Sequence, residues 1–300
     1  MIEADLPWDL IDELLDNALD EDRAYEDVTT TALVDPDLCG KGRLIARENG
    51  VVSGLPVARR LSLRFSDALH FTMDVEDGSH VSAGTRIGTL TGKVSDILSL
   101  ERTLLNFLQR LSGVATLTAQ FVHKVEGTDA RILDTRKTTP GWRRLEKYAV
   151  ACGGGQNHRM SLGDQVLIKE NHLKAVNRTG DTNGDAPDSY LGKAVRRTRG
   201  QAPAGMIIET EVENLEELKA AVKAGADIVL LDNMSPEQIE QAIAIAQNTA
   251  PDSQRPLLEA SGGIGLENVA DYARTGVDRI SIGALTHSAP ALDISLDLIF

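Results

Sequence analysis

The stretch GMIIETEVENLEELKAAVKAGADIVLLDNM (205–234) decides the fold. An apolar run at 206–211 closes on Glu209-Thr210-Glu211, then Leu215, Leu218 and Val222 recur at helical spacing, and a second run at 228–232 leads into Asp232-Asn233. This is one βα unit and the strand after it, because neighbouring parallel strands need a long crossover and a helix supplies it. Working outward, the alternation repeats. The sequence predicts strands around 131–134, 165–169, 206–211, 228–232, 257–261 and 279–283, with a further helix on Ile239, Ala242 and Ile243. Six such strands make a parallel sheet or barrel.

Before Gly113 the texture differs. Ile11, Leu14, Leu15 and Ala18 predict an amphipathic helix. Short runs come next at Leu44–Ala46, Val51–Val52, Phe71–Val75, Val81 and Ile87–Leu90, punctuated by Asn49-Gly50, Asp77-Gly78 and Ala83-Gly84. They read as an antiparallel sheet. A helix on Leu98, Leu104, Leu105, Leu108 and Leu111 succeeds them, with Ser95 or Ser99 as its N-cap. At the other end, Leu292, Ile294, Leu296 and Leu298 alternate with Asp293, Ser295 and Asp297, a period of two that predicts a strand returning to the first sheet.

The 300 residues, 25% charged and 42% hydrophobic, exclude a disordered, collagen-like or coiled-coil chain. There is no apolar run of membrane-spanning length, and MIEADLPWDL (1–10) lacks the basic cap and apolar stretch of a signal peptide, so a cytoplasmic protein with no membrane partner is expected. Cys39 and Cys152 cannot build a disulfide framework and form no CxxC pair. A formal charge of -14 opposes binding to nucleic acid. Against that background, residues 134–174 hold eight Lys and Arg and only four Asp and Glu. A basic island in an acidic chain suits the capture of small anions.

In a parallel α/β barrel the substrate site lies at the carboxyl ends of the strands. Here those ends are Asp134-Thr135-Arg136-Lys137, Lys169-Glu170-Asn171-His172, Glu209-Thr210-Glu211, Asp232-Asn233, Glu259-Ala260-Ser261-Gly262-Gly263 and Ser281-Ile282-Gly283-Ala284. One polar strand end is ordinary. Six in succession, cations first, carboxylates in the middle and glycines last, imply a division of labour. The cations suit anionic substrate groups. Glu211 and Asp232 suit a hydrated Mg²⁺ or sugar hydroxyls, and the glycine loops suit a phosphate held by backbone N–H groups. Gly153-Gly154-Gly155, ahead of His158 and Arg159, reads as an anion-binding nest or a hinge. The polar stretch 177–203 reads as a surface insertion, with a mobile loop in its first half.

Together, DTRKTTPGWRRLEKYAVACGGGQNHRMSLGD (134–164), IKENHL (168–173), ETEVEN (209–214), LLDNM (230–234), EASGGI (259–264) and SIGALTHS (281–288) resemble the type II phosphoribosyltransferases, the quinolinate phosphoribosyltransferases above all. EDVTT (26–30) and ERTLLNFLQRLSG (101–113) extend the resemblance over nearly the whole chain, and the insertion after His172 departs from it. The resemblance implies an α/β sandwich (1–112 with 288–300) and an open α/β barrel (113–287). It also implies a homodimer in which Arg102 reaches the neighbour's site. The implied reaction moves phosphoribosyl from phosphoribosyl pyrophosphate to quinolinate with loss of CO₂, aided by Mg²⁺. Thr135, Arg136, Lys137, Arg159 and Lys169 would surround the anionic substrates, and Lys137, Lys169, Glu211 and Asp232 would be catalytic. Glu211 and Asp232 would stand near ribose and metal, the latter through water. Ser261, Gly262 and Gly263 with Ile282, Gly283 and Ala284 would hold the 5-phosphate. His158, counted with the substrate-binding residues, and His287 fall in the same motifs.

Overall fold

A computed structural model of the chain describes residues 6–178, 187–250 and 255–300. Helices α1 (Trp8–Glu21) and α2 (Val28–Leu33) precede strands β1 (Cys39–Ala46) and β2 (Gly50–Val51), helix α3 (Leu55–Phe65), and strands β3 (His70–Met73), β4 (His80–Val81) and β5 (Arg86–Lys93). A 31-residue helix α4 (Val94–Lys124) leads to β6 (Arg131–Leu133), α5 (Arg143–Cys152), β7 (Val166–Ile168), α6 (Glu170–Arg178) and α7 (Pro187–Gln201). Then β8 (Ile208–Val212), α8 (Leu215–Ala224), β9 (Ile228–Asp232), α9 (Pro236–Thr249), β10 (Leu257–Ser261), α10 (Val269–Arg274), β11 (Arg279–Ser281) and α11 (Ala284–His287) alternate before β12 (Ile294–Ile299). Contacts divide the chain into two compact units. The first takes in the chain up to Gln120, Lys137–Gly155 and Ala284–Phe300; the second is Phe121–Arg136 with Gln156–Gly283.

The first unit is built on an antiparallel sheet in the order β12-β1-β5-β3, with β2 and β4 pairing separately. The alternating tail does return to it: β12 pairs with β1 antiparallel, Leu44 opposite Leu296. On α1 the buried stripe is Ile11, Leu15 and Leu19, one face at a spacing of four. Helix α3 stands among the short β-like runs, where the sequence pattern does not predict it. Its start is marked by Gly54 in the left-handed region (φ 102°) and Pro56 in the first turn. The Asp77 carboxylate accepts the Gly54 and Leu55 amides at 2.6 and 3.0 Å, capping it from a distant turn.

Two sequence-based expectations fail in this unit. Neither Ser95 nor Ser99 caps α4: β5 runs directly into the helix at Val94, whose amide donates to the Leu38 carbonyl at 2.9 Å. Both serines lie inside the helix, where Ser99 Oγ donates to Asp27 Oδ2 at 3.1 Å. The triple glycine is not an anion nest, because its three amides are already spent on the carbonyls of Ala149, Ala151 and Val150 at the end of α5. Its bareness serves packing: a Cβ on Gly153 would stand 2.3 Å from the Ala115 carbonyl oxygen of α4.

The second unit is a six-stranded, all-parallel sheet in the order β6-β11-β10-β9-β8-β7, so β6 and β7 are its edges and the barrel is open. All six predicted strands are present, within two residues of the expected bounds. The central strand β9 is buried over Ile228–Leu231, as a parallel strand covered on both faces must be. Part of the predicted loop, 179–186, lies outside the described residues; helix α7 occupies most of the rest of the polar stretch. Among the described residues no helix is long and apolar enough to cross a membrane.

Candidate active site

Register sets the rim of the second unit. Leu133, Ser281, Ser261 and Asp232 stand level across β6, β11, β10 and β9, so the residues just after them emerge together at one end of the sheet. Side chains two apart on a strand share a face. Hence Glu209 lies one layer beneath Glu211 on β8, Glu259 beneath Ser261 on β10, and Arg279 beneath Ser281 on β11.

The strand ends carry Thr135, Arg136, Lys169, Glu211, Asp232, Ser261, Gly262, Gly263, Ile282 and Gly283, and the segment before β7 carries Arg159 and the buried His158. Lys169 Nζ donates to Glu211 Oε2. Asp232 Oδ2 accepts Asn233 Nδ2 at 2.8 Å. Arg136 has its Nε buried with no hydrogen-bond partner, a donor poised for something other than protein. Arg159 donates from Nη1 to the Gln165 carbonyl at 2.9 Å. Burial, then the nearby Arg136 guanidinium, lowers its pKa against the opposing pull of Glu209 and Asp164. Two partly buried guanidinium groups that repel each other form a site short of negative charge.

The glycine loops are built for close approach. Gly262 and Gly263 both have positive φ, 95° and 63°. A Cβ on Gly262 would lie 2.2 Å from Asn233 Oδ1, and the Asn233 amide donates to the Ser261 carbonyl at 2.8 Å. Asn233 itself sits at φ 56°, in the left-handed region, so one strained residue ties the Asp232 carboxylate to the β10 loop. The strand-end motif contains this asparagine, but nothing in the sequence signals its role as a tie. Arg102, Lys137 and Ala284 belong to the first unit, where Arg102 is exposed on α4, the Lys137 carbonyl accepts from Thr286 Oγ1 at 2.8 Å, and Ala284 opens α11. The exposed His287 pairs its Nδ1 with Ser288 Oγ at 2.6 Å.

Beneath the rim is a buried cluster that sequence reasoning missed. His158 Nε2 stands 3.0 Å from Glu209 Oε2 and 3.5 Å from Glu259 Oε1; Gln165 Nε2 donates to Glu209 Oε2 at 2.6 Å; Arg279 Nε is 2.8 Å from Glu259 Oε2. Both glutamates are fully buried. Burial, reinforced by the Glu209 carboxylate, pushes the Glu259 carboxyl up to about 7 against the opposing pull of His158 and Arg279. Among the described residues, His158, Glu209 and Glu259 form the one group of three potential metal donors within 4.8 Å of one another. The signal lay in charged residues set at alternate positions inside apolar strands, Glu209 in β8 and Glu259 in β10.

Sequence comparison agrees with this architecture. Residues 27–112 match the N-terminal domain of quinolinate phosphoribosyl transferase and residues 114–297 its C-terminal domain. A carboxylating nicotinate-nucleotide pyrophosphorylase of Mycobacterium leprae is 41% identical, covering 98% of this chain and 99% of its own. A probable carboxylating nicotinate-nucleotide pyrophosphorylase of Methanothermobacter thermautotrophicus is 40% identical over 92% of this chain and 95% of its own. The solved structure of the nicotinate-nucleotide pyrophosphorylase from Francisella tularensis superposes with a TM-score of 0.86 at 38% identity, covering 98% of each chain. On these matches, both domains in order and nearly end to end, the chain belongs to the quinolinate phosphoribosyltransferase family.

Proposed function

We propose that the protein, a cytoplasmic homodimer, transfers phosphoribosyl from 5-phosphoribosyl 1-pyrophosphate to quinolinate and decarboxylates the adduct, giving nicotinate mononucleotide, pyrophosphate and CO₂ for NAD synthesis. The observation that carries this reading is the pair Arg136 and Arg159, mutually repelling and short of anions, with Arg136 Nε buried and unpartnered. A planar dicarboxylate satisfies such a pair, since each guanidinium offers a fork to a carboxylate. Arg102, from the partner subunit, adds a third cation, and Lys137 and Lys169 meet the phosphates. Thr135 lies in the same loop, and His158 supports the site from below.

Glycines 262, 263 and 283 let the 5-phosphate approach backbone N–H groups, as barrels do after their last strands. Glu211 and Asp232, carboxylates on the neighbouring strands β8 and β9, suit ribose hydroxyls and a Mg²⁺ held through water; Lys169 donates to Glu211 and Asn233 to Asp232. Bound there, Mg²⁺ would offset the charge of the pyrophosphate. The ring nitrogen of quinolinate displaces pyrophosphate at C1 of the ribose. The protein's part is to hold the two in line and to stabilise the leaving group. Once ribosylated, the cationic ring takes up the electron pair left at C2 as CO₂ departs, and a proton then fills that position.

The pairing of Lys169 with Glu211 disfavours an aldolase-type Schiff base, which needs an unpaired amine. The acceptor is tested by giving the purified protein phosphoribosyl pyrophosphate with quinolinate or nicotinate. Turnover of quinolinate far above nicotinate is expected, and Arg102→Ala should harm quinolinate use the more. Equal use of both acceptors would overturn the assignment.

A further inference from the structure

Apart from the supporting place given to His158, the buried cluster below the rim is unused by the chemistry above. Its donor spacing suits a three-ligand metal site, and Glu209 Oε1 and both Glu259 oxygens lack hydrogen-bond partners. The histidine argues otherwise. Its Nδ1 accepts the Arg159 backbone N–H at 2.7 Å, so that nitrogen carries a lone pair and the ring proton sits on Nε2. A nitrogen that bears a proton cannot ligate a cation. Instead the Nε2–H faces Glu209 Oε2 at 3.0 Å and Glu259 Oε1 at 3.5 Å, and the His158 amide is held by Asp134 Oδ1 at 2.9 Å. A second path reaches the same arginine: Gln165 binds Glu209 through its side chain and the Arg159 guanidinium through its carbonyl, at 2.6 and 2.9 Å. The backbone and the head of Arg159 both trace back to Glu209.

We propose that Glu209 is a positioning residue of the anion site: by accepting the His158 Nε2–H it fixes the tautomer whose Nδ1 holds the Arg159 amide, and so aims the Arg159 guanidinium, while Glu259 faces the same N–H from 3.5 Å. The role assigned to that guanidinium rests on the dicarboxylate reading above; the tautomer does not. Arg279, 2.8 Å from Glu259, keeps one carboxylate balanced without competing for the histidine.

Long-range ¹H–¹⁵N NMR on histidine-labelled protein at neutral pH reads the tautomer with no substitution and no turnover. The His158 signals should be those of a ring protonated at Nε2 alone. Glu209→Gln, which keeps an oxygen acceptor, should preserve that pattern, whereas Glu209→Leu should give mixed tautomers. In the same Leu variant the KM for quinolinate should rise about tenfold or more, with kcat and the KM for phosphoribosyl pyrophosphate within about twofold of wild type, because a misaimed group costs binding of its own ligand. A proton on Nδ1, an imidazolium, or a stoichiometric metal ion in the purified protein would overturn the proposal. So would a folded Glu209→Leu protein with an unchanged KM for quinolinate, or one with equal losses for both substrates. Failure of the wild-type protein to use quinolinate would sink the functional reading while leaving the tautomer result to stand by itself.

Discussion

Arg136 and Arg159 repel one another, and on the proposed reading it is this unfavourable free state that a dicarboxylate would relieve. Glu259 poses the opposite problem, a carboxyl buried beside another carboxylate. Its pKa is raised from 4.5 to about 7, so the folded protein holds a proton that the unfolded chain has released anywhere between those values. Stability is therefore lost as pH rises through that window. Glu259→Gln carries no such proton. The melting temperature of wild type minus that of Glu259→Gln should fall between about pH 5 and pH 8, and a gap independent of pH would contradict the assignment. Residue type was legible at Glu209 and Glu259, but depth was not. Both read as ordinary strand-end polar groups, yet each lies two residues before the last polar group of its own strand, Glu211 or Ser261, and the register sets Glu209 beside Ile228 and Glu259 beside Leu230 inside the sheet.

At the scale of elements, the six strands of the second unit could be read to within two residues and helices α8 and α9 from their apolar spacing, since each βα unit repeats one pattern and closes on a polar strand end, whereas α6, α7 and α10 were not foreseen. What escaped depended on partners distant in sequence. Helix α3 is capped by Asp77, more than twenty residues away, and α4 needs no serine cap because the Leu38 carbonyl takes its first amide. The triple glycine has the composition of a nest, yet its amides are spent within α5 and its missing Cβ atoms admit α4. The joint between β9 and β10 rests on Asn233. Asn233→Gly should relieve the backbone while removing a donor from Asp232, and Asn233→Ala should do the second at a cost of about 1 kcal/mol for a left-handed alanine. Thermal unfolding should rank the glycine variant above the alanine variant, with both losing activity. The reverse order of stability would contradict the role given to φ at this position.

For the whole molecule, the formal charge of -14 and the basic island at 134–174 were plain from composition, but the island's division was not: Lys137, Arg143, Arg144 and Lys147 lie in the first unit and Arg136, Arg159, Lys169 and Lys174 in the second. If Arg102 serves the neighbouring subunit, then mixing Arg102→Ala with Arg136→Ala, each inactive alone, should restore about a quarter of wild-type sites once subunits exchange, because half the dimers are mixed and each has one intact site. No recovery after verified exchange would confine Arg102 to its own subunit. The most direct measurement supplies quinolinate labelled at the C2 carboxyl together with phosphoribosyl pyrophosphate and Mg²⁺, and tracks both products. Labelled CO₂ and pyrophosphate should appear one for one with nicotinate mononucleotide; pyrophosphate without CO₂, or neither, would contradict the account.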